Sequence, residues 1–173
     1  KGTVHGNLTA KRGYEITAPT KVIQEYFELR LKRRKGITMK TNKNTKIIGI
    51  DHGYGNMKTA NHCFKTGISA YDSEPLFTAD MLTYNGKYYL IGDGHKEFAP
   101  DKVKDEDYYV LTLAAIAKEL KAENLTEAHI VIAAGLPLTW TSGQKADFKA
   151  YLMKNAEVKF NYKKTDYHLY IDD

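Results

Sequence analysis

Ile47-Ile48-Gly49-Ile50-Asp51-His52-Gly53-Tyr54-Gly55-Asn56-Met57-Lys58 is the stretch on which the reading of this 173-residue chain turns. A short apolar strand delivers one carboxylate, Asp51, into a glycine-containing turn, and Lys58 follows seven residues after it. Glycine lets a backbone come close to a ligand, and the N–H groups of a turn can converge on an anion. Asp51 has the chemistry to hold a hydrated divalent cation, and Lys58 to neutralise phosphate oxygens. The stretch reads as half of a metal–nucleotide clamp.

The surrounding chain suits a soluble domain of ordinary composition. Hydrophobic residues make up 42% and charged residues 27%, enough for one well-cored unit at this length. Cys63 is the only cysteine, so no intrachain disulfide can form, which favours a reducing compartment. No apolar run approaches the roughly 18 residues needed to span a bilayer, and no secretory leader pattern is visible. The expected location is the cytoplasm, with no membrane partner.

Charge is unevenly placed. Residues 1–38 carry nine Lys/Arg and three Asp/Glu, whereas the remainder carries 17 and 18, so the net charge of +5 comes entirely from the first segment. Thr20 can cap a helix from Lys21 to about Arg34, with basic residues crowding its end. Two readings stay open for 1–38: a basic amphipathic arm for DNA or a membrane surface, and an extension without a role. In the second, Met39 is the native start and 39–173 is the domain proper. At the other end the chain stops at Asp172-Asp173 just after a strand, so the sequence is expected to be an incomplete domain.

Hydrophobic periodicity predicts a strand at 46–51, then a second strand along Met57–Phe64, where alternation has a period of two. Strands follow at Gly67–Ala70 and Ala79–Tyr84. Asn85-Gly86 between Thr-Tyr and Lys-Tyr-Tyr-Leu-Ile signals a hairpin, because a type I′ turn needs positive φ twice. Asp105–Ala122 is a helix with Tyr109, Leu113, Ile116 and Leu120 on one face. Ala128–Ala134 is a buried-type strand, Thr141 or Ser142 caps a helix to about Asn155, and Glu157–Tyr162 and Tyr167–Ile171 are strands. A strand meander followed by helix–strand–helix–strand predicts a mixed α/β domain.

Two familiar phosphate-binding devices fail on residues. A Walker A loop needs glycine before its lysine, where Met57 stands; a dinucleotide fingerprint needs a third glycine where Lys58 stands, and a helix rather than a strand after it. The remaining device is a β-hairpin turn that grips phosphates. The D-x-G-x-G-x-x-K pattern of Asp51, Gly53, Gly55 and Lys58 resembles the first phosphate loop of the actin-like ATPases. Ile130-Val131-Ile132-Ala133-Ala134-Gly135-Leu136-Pro137-Leu138-Thr139, followed by a helix with Gln144-Lys145, is similar to the strand–Leu-Pro-Leu–helix unit of bacterial plasmid-segregation (ParM/StbA-type) actins. The Tyr84–Gly94 hairpin is similar to the small subdomain of that branch, and together these cover about 46–173.

The resemblance implies an actin/Hsp70-type (ribonuclease H-like) N-terminal domain: mixed sheet, β-hairpin phosphate loop and small inserted subdomain. It implies that Asp51 positions the water shell of Mg²⁺. It also implies that backbone amides across Gly53, Tyr54, Gly55 and Asn56 hold the terminal phosphates of ATP (or GTP), and that Lys58 bridges phosphate oxygens. The whole protein would then be a filament-forming ATPase for plasmid or phage DNA segregation. Its partners would be its own subunits, and DNA only through an adaptor. The family's water-positioning residue, second phosphate loop and adenosine pocket lie beyond Asp173, so no catalytic base is assigned and this chain alone is expected to be inactive. Tyr54 departs from the hydroxyl residue that actin carries in this loop, so the resemblance carries over only backbone contacts at this position. A sugar- or acid-kinase relative of the same fold, and a DNA-binding module using the basic arm, are the alternative functions.

Other groups carry less. The six histidines show no metal-ligand spacing, and His62-Cys63 makes no zinc set. His52 is read as an exposed turn histidine, with a hydrogen bond to the phosphate turn as the second reading. Gly92-Asp93-Gly94 reads as the end of the hairpin, Trp140 as a partly buried ring, and Asp101–Asp107 as a solvated loop and helix start.

Overall fold

A computed structural model describes residues 45–76, 79–94, 103, 106–135 and 142–173. Its strands are β1 (Thr45–His52), β2 (Asn56–Lys58), β3 (Cys63–Lys65), β4 (Ile68–Tyr71), β5 (Met81–Tyr84), β6 (Lys87–Ile91), β7 (Glu127–Gly135), β8 (Glu157–Tyr162) and β9 (Thr165–Ile171). The helices are α1 (Asp107–Ala122) and α2 (Ser142–Leu152). The strands form one sheet in the order β3-β2-β1-β7-β9-β8-β5-β6-β4. β1, β7 and β9 are parallel in its centre, and every other neighbouring pair is antiparallel. This is the expected mixed α/β sheet, with the β4–β6 insert continuing it through the β5–β8 pairing.

α1 explains why the sheet holds together. Tyr108 to Ala117 and Leu120 are all buried, so the helix is apolar on nearly every side rather than along one stripe. A helix of that kind belongs inside a core. It packs with Ile48 and Ile50 of β1, Ile130 of β7, Leu169 of β9, Phe160 of β8 and Leu82 of β5 in one apolar cluster. At its polar end the Asp80 carboxylate accepts bonds from the Tyr162 hydroxyl, Lys118 (3.2 Å) and Lys163 (2.9 Å), which ties α1 to β5 and to the β8–β9 hairpin. Burial pushes the Asp80 pKa up, but Tyr162 and the two ammonium groups outweigh it and hold the carboxyl below its usual value.

Several sequence expectations hold. Asn85 and Gly86 take φ of 51° and 74° in the β5–β6 turn, as a type I′ hairpin requires. Gly92 and Gly94, at 83° and 73°, end that hairpin. Most element ends shift by one or two residues, and two differences go further. The period-two run expected as one strand at 57–64 is a hairpin, because Thr59 N–H bonds the His62 carbonyl at 2.8 Å and reverses the chain between β2 and β3. The second helix ends at Leu152 rather than Asn155, since the Asn155 amide leaves the helix to donate to the Tyr84 and Tyr109 hydroxyls at 3.0 and 3.1 Å. The β8–β9 turn has no glycine: Lys163 and Lys164 both adopt positive φ, 50° and 62°. The basic segment 1–38, Leu136–Thr139, Trp140, the Thr141 cap and most of 101–107 lie outside the described residues.

Candidate functional site

β1 carries Asp51 and His52 to the end of the central sheet, and the chain returns along β2 with Asp51 paired to Lys58 and His52 to Met57. Lys58 Nζ lies 3.6 Å from Asp51 Oδ2, and both side chains are about half exposed. An exposed pair of this kind is worth little in stability, so it holds Lys58 at the turn without locking it there. The two turn glycines differ in role. A Cβ on Gly53 would stand 2.4 Å from the Asn56 carbonyl oxygen, closer than side-chain carbons come. A Cβ on Gly55 would meet nothing within 4 Å. Gly53 is required by the fold of the turn; Gly55 leaves open space at its exposed side.

Thr66, a residue sequence reasoning did not single out, fastens this turn from behind. It is buried between β3 and β4, its hydroxyl donates to the Gly53 carbonyl at 2.8 Å, and its N–H donates to the Gly55 carbonyl at 3.0 Å. The only local hint is that a small hydroxyl residue precedes a glycine at a strand junction, which is too common to point to a site.

His52 is not the exposed turn histidine expected. Alternation along β1 turns it inward, where Nε2 donates to Thr112 Oγ1 at 2.8 Å while that hydroxyl donates to the Tyr108 carbonyl at 2.6 Å. Its ring also meets the Phe148 ring edge-on, centroids 5.1 Å apart. His52 therefore braces the end of β1 against both helices.

A second missed residue is Glu119. Its carboxylate receives Thr59 Oγ1 at 2.5 Å, Asn61 N–H at 3.0 Å, Asn61 Nδ2 at 2.7 Å and His62 Nδ1 at 3.1 Å. Burial raises its pKa, but the bonds from Thr59, His62 and Asn61 outweigh that, and the net shift is downward. The β2–β3 turn, which begins next to Lys58, is thus clamped to α1 by one carboxylate. The clamp was illegible because Glu119 is 57 to 60 residues from its partners.

Chemically, the Asp51–Lys58 turn joins one carboxylate, one ammonium group and a tight backbone turn at an exposed sheet end. Among the described residues no three His, Cys, Asp or Glu side chains gather into a metal cage. A single carboxylate beside a tight backbone turn would suit a magnesium ion that keeps several waters and takes other ligands from phosphate. Among the described residues, no helix is long and apolar enough to cross a membrane.

The family model described as "Actin like proteins N terminal domain" matches residues 49–173. No curated protein matches. Among solved structures, the apo form of the pSK41 ParM protein superposes with a TM-score of 0.58 at 15% identity over 75% of this chain and 48% of its own. An Alp12 filament gives 0.55 at 20% identity, covering 76% and 46%, and an AlfA filament bound to AMPPNP gives 0.54 at 15%, covering 76% and 53%. This chain spans about half the length of those proteins.

Proposed function

Since the chain belongs to the family of actin-like protein N-terminal domains, we propose that it supplies the first phosphate-binding half of a nucleotide-dependent, filament-forming ATPase of the plasmid-segregation type. The observation that carries this reading is the turn itself: Asp51 and Lys58 facing each other across the β1–β2 register, with Gly53 making the tight reversal between them. In this reading Asp51 would hold the hydrated Mg²⁺, the amides between Gly53 and Asn56 would donate to the terminal phosphates of ATP (or GTP), and Lys58 would turn from Asp51 to phosphate oxygens. Magnesium, when bound, neutralises phosphate charge. Phosphoryl transfer depends on such positioning and charge neutralisation more than on covalent help from the protein. The catalytic water and the base moiety would be handled by the half of the protein that this chain does not span.

The relatives seen as filaments, one of them bound to AMPPNP, support self-association as the output. Contact with DNA would pass through an adaptor, and residues 39–173 would form the domain proper. Light scattering of the full-length protein tests the reading. Addition of Mg-ATP is expected to raise scattering within minutes and Mg-ADP is not; the same flat trace with both nucleotides would count against a filament-forming ATPase.

A further inference from the structure

The Thr66 bonds fix more than the path of the chain. A trans peptide is planar, so its C=O and the following N–H point in opposite directions. No described residue has a cis peptide. With the Gly53 carbonyl held by Thr66 Oγ1, the Tyr54 N–H is turned away from Thr66; with the Gly55 carbonyl held by Thr66 N–H, the Asn56 N–H is turned away as well. Both amides belong to the turn assigned above to phosphate.

Thr66 is itself held from the far side. Gly67 packs so closely beneath the end of the β6 hairpin that a Cβ there would stand 2.5 Å from the Asp93 carbonyl oxygen and 2.6 Å from that of Gly94. The Gly67 carbonyl also accepts the Gly92 N–H at 2.8 Å. The hydroxyl donor therefore sits on a backbone pinned by the insert on one side and by the turn on the other, and being buried it has no competing water.

We propose that Thr66 is a positioning residue for the phosphate turn. By drawing the Gly53 and Gly55 carbonyls to one side, it keeps the Tyr54 and Asn56 amides presented on the other to the terminal phosphates of a nucleoside triphosphate. This rests on the nucleotide reading above. It assigns to a buried threonine outside the D-x-G-x-G-x-x-K pattern the preorganisation that an anion site needs, since donors already aimed need not be reordered on binding.

The test uses the full-length protein with Thr66→Val, which removes the hydroxyl at nearly constant shape, and Thr66→Ser, which keeps it. Two readouts are combined: Mg-ATP affinity by calorimetry, and backbone ¹⁵N order parameters of Tyr54 and Asn56 without nucleotide. Thr66→Val is expected to weaken Mg-ATP about tenfold and to lower the Tyr54 order parameter, with Asn56 changing less because the Thr66 N–H still holds the Gly55 carbonyl, and Thr66→Ser to restore affinity and the Tyr54 order parameter to near wild type. A tenfold change corresponds to about 1.4 kcal/mol, within the range of one buried hydrogen bond. If wild type binds Mg-ATP and Thr66→Val binds within twofold with unchanged order parameters, the positioning role is overturned while the nucleotide reading stands. If Thr66→Ser fails to restore affinity, the hydroxyl is not the cause and the role is likewise overturned. A wild type that binds no Mg-ATP overturns the nucleotide reading, and this inference with it.

Discussion

Replacing Gly53 with alanine is expected to destabilise the domain by about 1–3 kcal/mol, the usual range for forcing a methyl group into a filled site. The new Cβ would lie 2.4 Å from a backbone oxygen, that of Asn56, and backbone cannot swing aside as a flexible side chain can. Relief requires the turn to open, which would pull the Gly53 carbonyl from Thr66 and part Asp51 from Lys58. Gly55→Ala supplies the control, because its Cβ would meet nothing. It should melt within a degree or two of wild type, whereas Gly53→Ala should melt several degrees lower by thermal unfolding. The nucleotide reading adds a contrast of its own. Gly55→Ala puts a methyl group into open space at the turn, which the nucleotide reading gives to phosphate, so it should lose Mg-ATP affinity while keeping its stability.

Removing the Glu119 carboxylate should have a comparable effect through different chemistry. Glu119→Ala leaves the Thr59 hydroxyl, the Asn61 amides and the His62 ring without their shared acceptor. Losing charge-assisted bonds of this kind costs about 1–3 kcal/mol, toward the lower end where water can replace the acceptor at an exposed turn. The pH dependence identifies the cause. Because the folded pKa of Glu119 lies below its ordinary value of 4.5, its contribution is complete above that value and is lost as pH falls through the depressed one. The stability gap between wild type and Glu119→Ala, measured by denaturant unfolding, should therefore be largest near neutrality and shrink towards pH 3. A gap that stays constant from pH 7 to pH 3 would show that lost packing, and not the carboxylate, is responsible. Asp80, whose pKa is also lowered, adds a separate acid-sensitive contribution that both variants retain.

These two residues also mark where the sequence is legible and where it is not. β1, β7 and α1 can be read directly, since a run such as Ile47–Ile50 or the Leu/Ala-rich stretch of α1 has little alternative but to be buried. The Asn85-Gly86 hairpin is equally direct, because its residues match the dihedral demand of the turn. The Asp51, Gly53 and Lys58 pattern is local, and the structure does place the carboxylate opposite the lysine. What resists reading depends on partners far along the chain. The run at 57–64 alternates with a period of two straight through a turn, so the β2–β3 reversal is hidden; Glu119, on a helix that begins more than forty residues later, fastens it. His52 looks like a turn residue until Thr112 and Phe148 are brought to it. Lys163 and Lys164 accept left-handed backbone without any glycine to announce it, held where Lys163 N–H meets the Met81 carbonyl and its ammonium meets Asp80.

The central claim is that the Asp51–Lys58 turn binds nucleotide phosphate, and calorimetric titration of Mg-ATP into the full-length protein beside its Lys58→Ala variant tests it most directly. Wild type should give saturable heat at one site per chain. Lys58→Ala should bind about 10- to 100-fold more weakly, the factor expected for losing charged hydrogen bonds worth about 1.5–3 kcal/mol. No binding by wild type, or equal binding by the two proteins, would contradict the account.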